Sequence, residues 1–230
     1  MTSNEVPATS KGDAHHAITK AGIGAIPVAG SLLAEAYCWF VKAPVEQRRD
    51  EWAQSVGERL QWLEQNRGVD IGSLQKDPAF VDLLLQAQQV AIRNSEADKL
   101  DALRAAVENA AIGGGPEQAV RQMFLHRIDV FTVWHVRLLR LFNDPSAFMR
   151  KNGKVVEPYA ISGSLASLVE QAFPDLRGKR DFYDQIWRDL RVAGLVNTEG
   201  LHGMMSSSGV MDQRTTALGS SFVEFIEAPV

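Results

Sequence analysis

The sequence predicts a mainly α protein: an N-terminal helical bundle, then a C-terminal winged helix-turn-helix with a small β-hairpin wing. Three observations carry this expectation. Apolar residues recur at i, i+3, i+4 and i+7 along most of the chain. Gly- and Pro-rich breaks separate these stretches, the heaviest being Ile112-Gly113-Gly114-Gly115-Pro116. Near the C-terminus the helical period gives way to a Ser/Gly-rich stretch between two short semi-apolar runs, which is a hairpin signal. The expected division is a flexible tail over 1–16, a bundle over 17–115 and a winged-helix domain over 116–230.

Composition narrows the function classes. The 230 residues are 45% hydrophobic and 23% charged, which excludes wholesale disorder and fibrous repeats. The single cysteine, Cys38, excludes an internal disulfide framework and a multi-cysteine zinc site. A net charge of −4 argues against a general nucleic-acid-coating protein. Residues 1–115 hold 11 Lys and Arg against 15 Asp and Glu, so the electrically neutral remainder is the better surface for an anion.

Residues 1–16 lack hydrophobic periodicity and read as a solvated tail, including His15-His16, which lack the further ligands a metal needs. No basic start runs into an apolar stretch, so no secretory signal is expected and the chain reads as cytoplasmic. Residues 21–41 are apolar except for Ser31 and Glu35 and are flanked by Lys20 and Lys42. About 20 apolar residues can span a bilayer. Gly22, Gly24, Pro27 and Gly30 weaken a helix in water but permit close helix contact, and Glu35 is costly in lipid. Three readings stay open for this leader: a buried helix of the bundle, a hairpin released into a membrane, and a constitutive span. Its candidate membrane or oligomer contacts are Gly22, Gly24, Pro27, Gly30, Trp39 and Phe40.

Pro44 reads as a stop, followed by a helix with Trp52, Val56, Leu60 and Leu63 on one face, Trp62 beside them and Gly68 at its end. A loop leads to Asp77-Pro78, a strong helix start, and Phe80, Leu83, Leu84, Ala87, Val90 and Ala91 keep the helical period. Glu96 and Asp98 open a helix with Leu100, Leu103, Ala106 and Val107 inward. Beyond Pro116, Val120, Met123, Phe124 and Ile128 mark another. Thr132 is the expected N-cap of the next, which Asp144-Pro145 closes. The stretch from Asn143 to Ser162 reads as a loop holding Arg150, Lys151 and Lys154. Ser164 starts a short helix, and Asp181 is the expected cap of a longer one, with Phe182, Ile186, Leu190 and Ala193 at helical spacing and Gly194 closing it. Helix, short helix, longer helix, hairpin and closing helix is the winged-helix order.

The pieces GSLASLVEQAFPDLRGKRDFYDQIWRDLRVAGLV and RTTALGSSFVEFI, with the upstream APVEQRRDEWAQSVGERL, carry a resemblance over about residues 17–227. The chain resembles a group of uncharacterised bacterial proteins with a helical N-terminal region and a winged-helix-like C-terminal domain. It is more loosely similar to the abortive-infection alpha-type family. The second resemblance implies a role in bacterial defence against phage. Neither rests on a catalytic motif, so neither implies an active residue.

The longer helix of the helix-turn-helix would offer Lys179, Arg180, Gln185, Arg188 and Arg191 to a partner, with Arg214 on the wing and Arg150, Lys151 and Lys154 in the loop. Asp181, Asp184 and Asp189 share that helix and repel phosphate. Tyr183 and Trp187 on or near the exposed face would suit a protein partner. DNA therefore remains a second candidate, behind a protein partner or a second copy of the chain.

No catalysis, cofactor, metal or small-molecule substrate is expected. The glycines of GIGAIPVAG lack the Lys-Ser/Thr ending of a phosphate loop and a preceding strand. Ile161-Ser162-Gly163-Ser164 is a helix start and no nucleophile elbow. His126 and His135 have no partner at metal-ligand spacing.

Overall fold

The computed structural model describes residues 43–154 and 162–229. The tail, the leader with Gly22, Gly24, Pro27, Gly30, Trp39 and Phe40, the pair His15-His16 and Cys38 all lie outside the described residues. The chain divides into residues 1–47 and residues 48–230, and the second unit contains nearly all of the described residues.

The described residues are mainly helical, with eleven α-helices. They are α1 Ala43–Arg67, α2 Ile71–Leu74, α3 Pro78–Arg93, α4 Ala97–Ala111, α5 Gln118–Val130, α6 Val133–Asn143, α7 Pro145–Lys151, α8 Leu165–Ala172, α9 Arg180–Val192, α10 Ser207–Val210 and α11 Ala217–Phe225. Two short strands, β1 Ser162–Gly163 and β2 Met205–Ser206, pair antiparallel.

Local chemistry sets most boundaries. Pro44 does not stop a helix but sits in the first turn of α1, where its missing N–H costs nothing. Gly68 ends α1 at φ +69°, a left-handed conformation that favours glycine. The following loop contains α2, because the Asp70 carboxylate accepts from Ser73 N–H and hydroxyl. Asp77 caps α3 through Ala79 N–H, with Pro78 at the first helical position. Thr132 caps α6, as its sequence predicts.

The core is continuous from Trp52 to Ile226, across the Gly113–Pro116 break. Helix α4 lies at its centre and packs on α3, α5, α6 and α11. Ten of its fifteen residues are buried. Phe124 of α5 meets Phe222 of α11 edge-on at 4.9 Å, and Phe225 lies 5.7 Å away.

The C-terminal part departs from expectation in two places. The supposed loop after Asn143 contains α7: Asp144 ends one helix and caps the next, accepting from Ala147 N–H. No hairpin forms between 200 and 215 among the described residues. Ser206 instead accepts from Gly209 N–H and starts α10, and β2 pairs with β1 in front of α8. The run ending at Thr215 makes one isolated bridge, to Val196. Thr216 then caps α11 through Gly219 N–H. A Cβ at Gly219 would overlap the Leu195 carbonyl, so only glycine lets α11 start this close to the end of α9.

Candidate interaction surface

Helix α9 is sharply two-sided. Tyr183, Ile186, Trp187 and Leu190 form its inner stripe at i, i+3, i+4 and i+7. Trp187 packs edge-on against Phe142 at 4.9 Å and donates its indole N–H to Thr198 O at 3.0 Å. The Tyr183 hydroxyl donates to Glu170 at 3.1 Å. Burial, together with Glu170, pushes that phenol up to about 12. This corrects the expected placement of both aromatics. Tyr183 and Trp187 are each only 2% exposed, so neither can anchor a partner. Asp181 is also not the cap. Lys179 holds that position and Asp181 stands in the first turn, where the positive end of the helix dipole favours a carboxylate. Gly194, at φ +73°, ends the helix as expected, with Gly194 N–H donating to Arg191 O and Leu195 N–H to Leu190 O.

The outer face carries Lys179, Arg180, Gln185, Arg188 and Arg191, all exposed. Its apolar members are Phe182, with its ring 6.4 Å from that of Trp134, and Val192, which is 84% exposed. The three arginines are matched by acids or amides. Arg180 lies 3.5 Å from Asp184, and Arg191 lies 3.8 Å from Glu199. Arg188 donates to Gln185 Oε1 at 2.5 Å, and Gln185 donates to Asp189 Oδ1 at 2.7 Å. His202 closes on Asp184 at 2.8 Å.

The remaining expected contacts fall elsewhere. Arg214 is not displayed on a wing: it is half-buried, held by the Gly209 carbonyl and lying 3.7 Å from Asp212. Lys154 donates to the Ala172 carbonyl, with its ammonium 5.6 Å from the Phe173 ring centre. Both therefore hold the fold together. Arg150 and Lys151 are exposed on α7 and line an open groove of about 790 Å³ formed with α4, α6 and α11. No residue of α9 lines that groove, so the expected basic residues do not converge on one site. The groove's acids are already engaged. Glu108 holds Arg59 with two bonds of 2.9 Å, Glu227 lies 2.6 Å from Arg140, and Asp101 lies 3.0 Å from Arg104.

His135 is buried where α6 meets α9, its ring stacked on Phe131 at 4.6 Å. Its Nδ1 lies 3.1 Å from Thr132 N–H and 2.9 Å from the Thr132 hydroxyl. A backbone N–H can only donate, so Nδ1 is the acceptor. The proton then sits on Nε2, 3.3 Å from Asp189 Oδ2. Burial pushes the imidazole below its ordinary value, Asp189 pulls it up and Lys99 pushes it down. Thr, His and Asp in a row resemble a nucleophilic triad, but Thr132 here serves as a helix cap and none of the three lines the groove.

Among the described residues no group of three or more His, Cys, Asp or Glu side chains could hold a metal, and no helix is long and apolar enough to cross a membrane. The polar residues that sequence reasoning missed lie on α4. Asn109 Nδ2 donates to the carbonyls of Glu224, Phe225 and Glu227 at 3.1, 3.0 and 2.8 Å. Lys99 Nζ donates to Asp129 O at 3.1 Å, and burial lowers its pKa. Comparison with protein-family models, curated proteins and solved structures finds no match to this chain.

Proposed function

We propose that the chain is a non-enzymatic bacterial interaction or regulatory protein that contacts a protein partner through the outer face of α9. One observation carries the reading: a long exposed helix face on which cations alternate with acids and amides around a nearly bare Val192. Matched charges set register and exclude wrong protein partners, while adjacent carboxylates repel a phosphate backbone. The order α6, α8, α9, bridge and α11 supports a winged-helix-like arrangement, although a fold does not fix a function. Phage defence is proposed on the family resemblance alone, with the leader over 21–41 acting on a membrane or a second copy. A photo-crosslinking residue at Val192 in the native host tests the reading. A discrete protein adduct is expected, and an adduct to nucleic acid alone overturns it.

Sequence-specific DNA binding is the second reading, favoured by Lys179, Arg180, Arg188 and Arg191 sharing one exposed helix. It requires duplex binding that weakens steeply between about 50 and 200 mM salt and is abolished by Arg188→Glu with Arg191→Glu. Carbonate extraction and a liposome-leakage assay test the leader: extraction from membranes and no leakage would remove the membrane version.

A further inference from the structure

Five side chains form an unbroken row from the cap of α6, through the buried His135, to the candidate contact face. Thr132 meets His135, His135 meets Asp189 Oδ2, Asp189 Oδ1 accepts from Gln185, and Gln185 Oε1 accepts from Arg188. Each link fixes the next. The Gln185 amide points its NH2 at Asp189, which turns its oxygen to Arg188. We infer that His135 is a positioning residue whose protonation resets the polar row displayed by α9, making the contact face pH-sensitive.

Neutral His135 is held by donors on its Nδ1 side. A proton placed on Nδ1 would face Thr132 N–H donor to donor, breaking the reciprocal cap at the start of α6. The resulting imidazolium would bind Asp189 more strongly as a charge-assisted pair. Asp189 then holds Gln185 less firmly, and Arg188 loses its fixed acceptor. The charged groups bearing on the ring are Asp189 from α9 and Lys99 from α4. Arg127 of α5 lies 5.9 Å from the Phe131 ring that covers it. His202, from the loop after α9, pairs with Asp184 of α9 at 2.8 Å, and this second His–Asp pair must be controlled for.

This inference rests on the proposed reading only for the importance of the α9 face. Its test uses the whole chain without a partner, so the two can fail independently. Side-chain NMR from about pH 8 to about pH 5 spans the range in which histidine titrates. It follows the His135 ring, the Gln185 amide and Arg188 Nε. All three signals should move with one midpoint, below the ordinary histidine value of 6.5. His135→Gln keeps a Thr-x-x-Gln capping box, so the helix remains capped while the titrating group is gone. The Gln185 and Arg188 signals should then be flat. Asp189→Asn should leave His135 titrating while Arg188 no longer follows, and His202→Asn should leave the shared midpoint unchanged. Gln185 and Arg188 signals that stay constant with pH in the unaltered chain would overturn the inference. So would a response that survives His135→Gln or vanishes with His202→Asn.

Discussion

Helices α4 and α9 both carry many polar residues and use them in opposite directions. On α4 three of them turn inward onto fixed acceptors or counter-charges: Lys99 to Asp129 O, Glu108 to Arg59 and Asn109 to the end of α11. On α9 the inner stripe is aromatic and aliphatic, and the charges face outward in matched sets. The polar content of a helix therefore does not report its exposure. What matters is whether each polar group finds a partner inside. The first helix holds the molecule together, and the second is free to meet something else.

This contrast can be broken most severely at the Arg59–Glu108 pair. Glu108 is 4% exposed and Arg59 is 33% exposed. Arg59→Ala strands a buried carboxylate and should cost about 3 kcal/mol in urea unfolding. Glu108→Ala leaves a guanidinium that can reach water and stack on Trp62, 4.4 Å away, and should cost only about 1 kcal/mol. Equal losses would mean that burial does not control the asymmetry. Asn109→Ala should cost about 1–3 kcal/mol, because buried carbonyls lose their donor. Amide exchange should then accelerate first in α11.

The third test uses pH. His135 has a lowered folded-state pKa, so the unfolded chain binds the proton more tightly. Its stabilising contribution is complete above 6.5 and is lost as pH falls from there through the folded value. The slope should not exceed about 1.4 kcal/mol per pH unit. His135→Gln should remove this part of the slope in thermal melts taken across that range. The smallest effect belongs to α9. Val192→Ser, at a side chain 84% exposed, should change stability by less than about 0.5 kcal/mol. A larger loss would show that the outer face is already covered.

Much of the fold is readable in the sequence because helix ends are local. Asp77-Pro78, Thr132 and Gly194 each act within one turn, and each does so where expected. The candidate surface is less readable because it depends on helix phase. Phe182, Ile186 and Leu190 suggest one stripe, and Tyr183, Ile186, Trp187 and Leu190 another. They share Ile186 and Leu190, so only the packing against Phe142 and Glu170 decides which aromatic turns inward. Helix α7 is hidden by its seven-residue length, and the hairpin signal fails because serine also caps helices. The roles of Asn109 and Glu108 are invisible locally, since their partners lie 115 and 49 residues away for Glu224 and Arg59.

That separation has a consequence during synthesis. The ribosome adds about 5–20 residues per second, so Asn109 emerges on the order of ten seconds before the carbonyls it must bind. Through that interval the central helix carries an unused amide on a face meant to be sealed. The bundle can collapse early, but this latch closes only once residues 224–227 have emerged. A chain stalled before Glu224 would present that unlatched helix to chaperones and proteases.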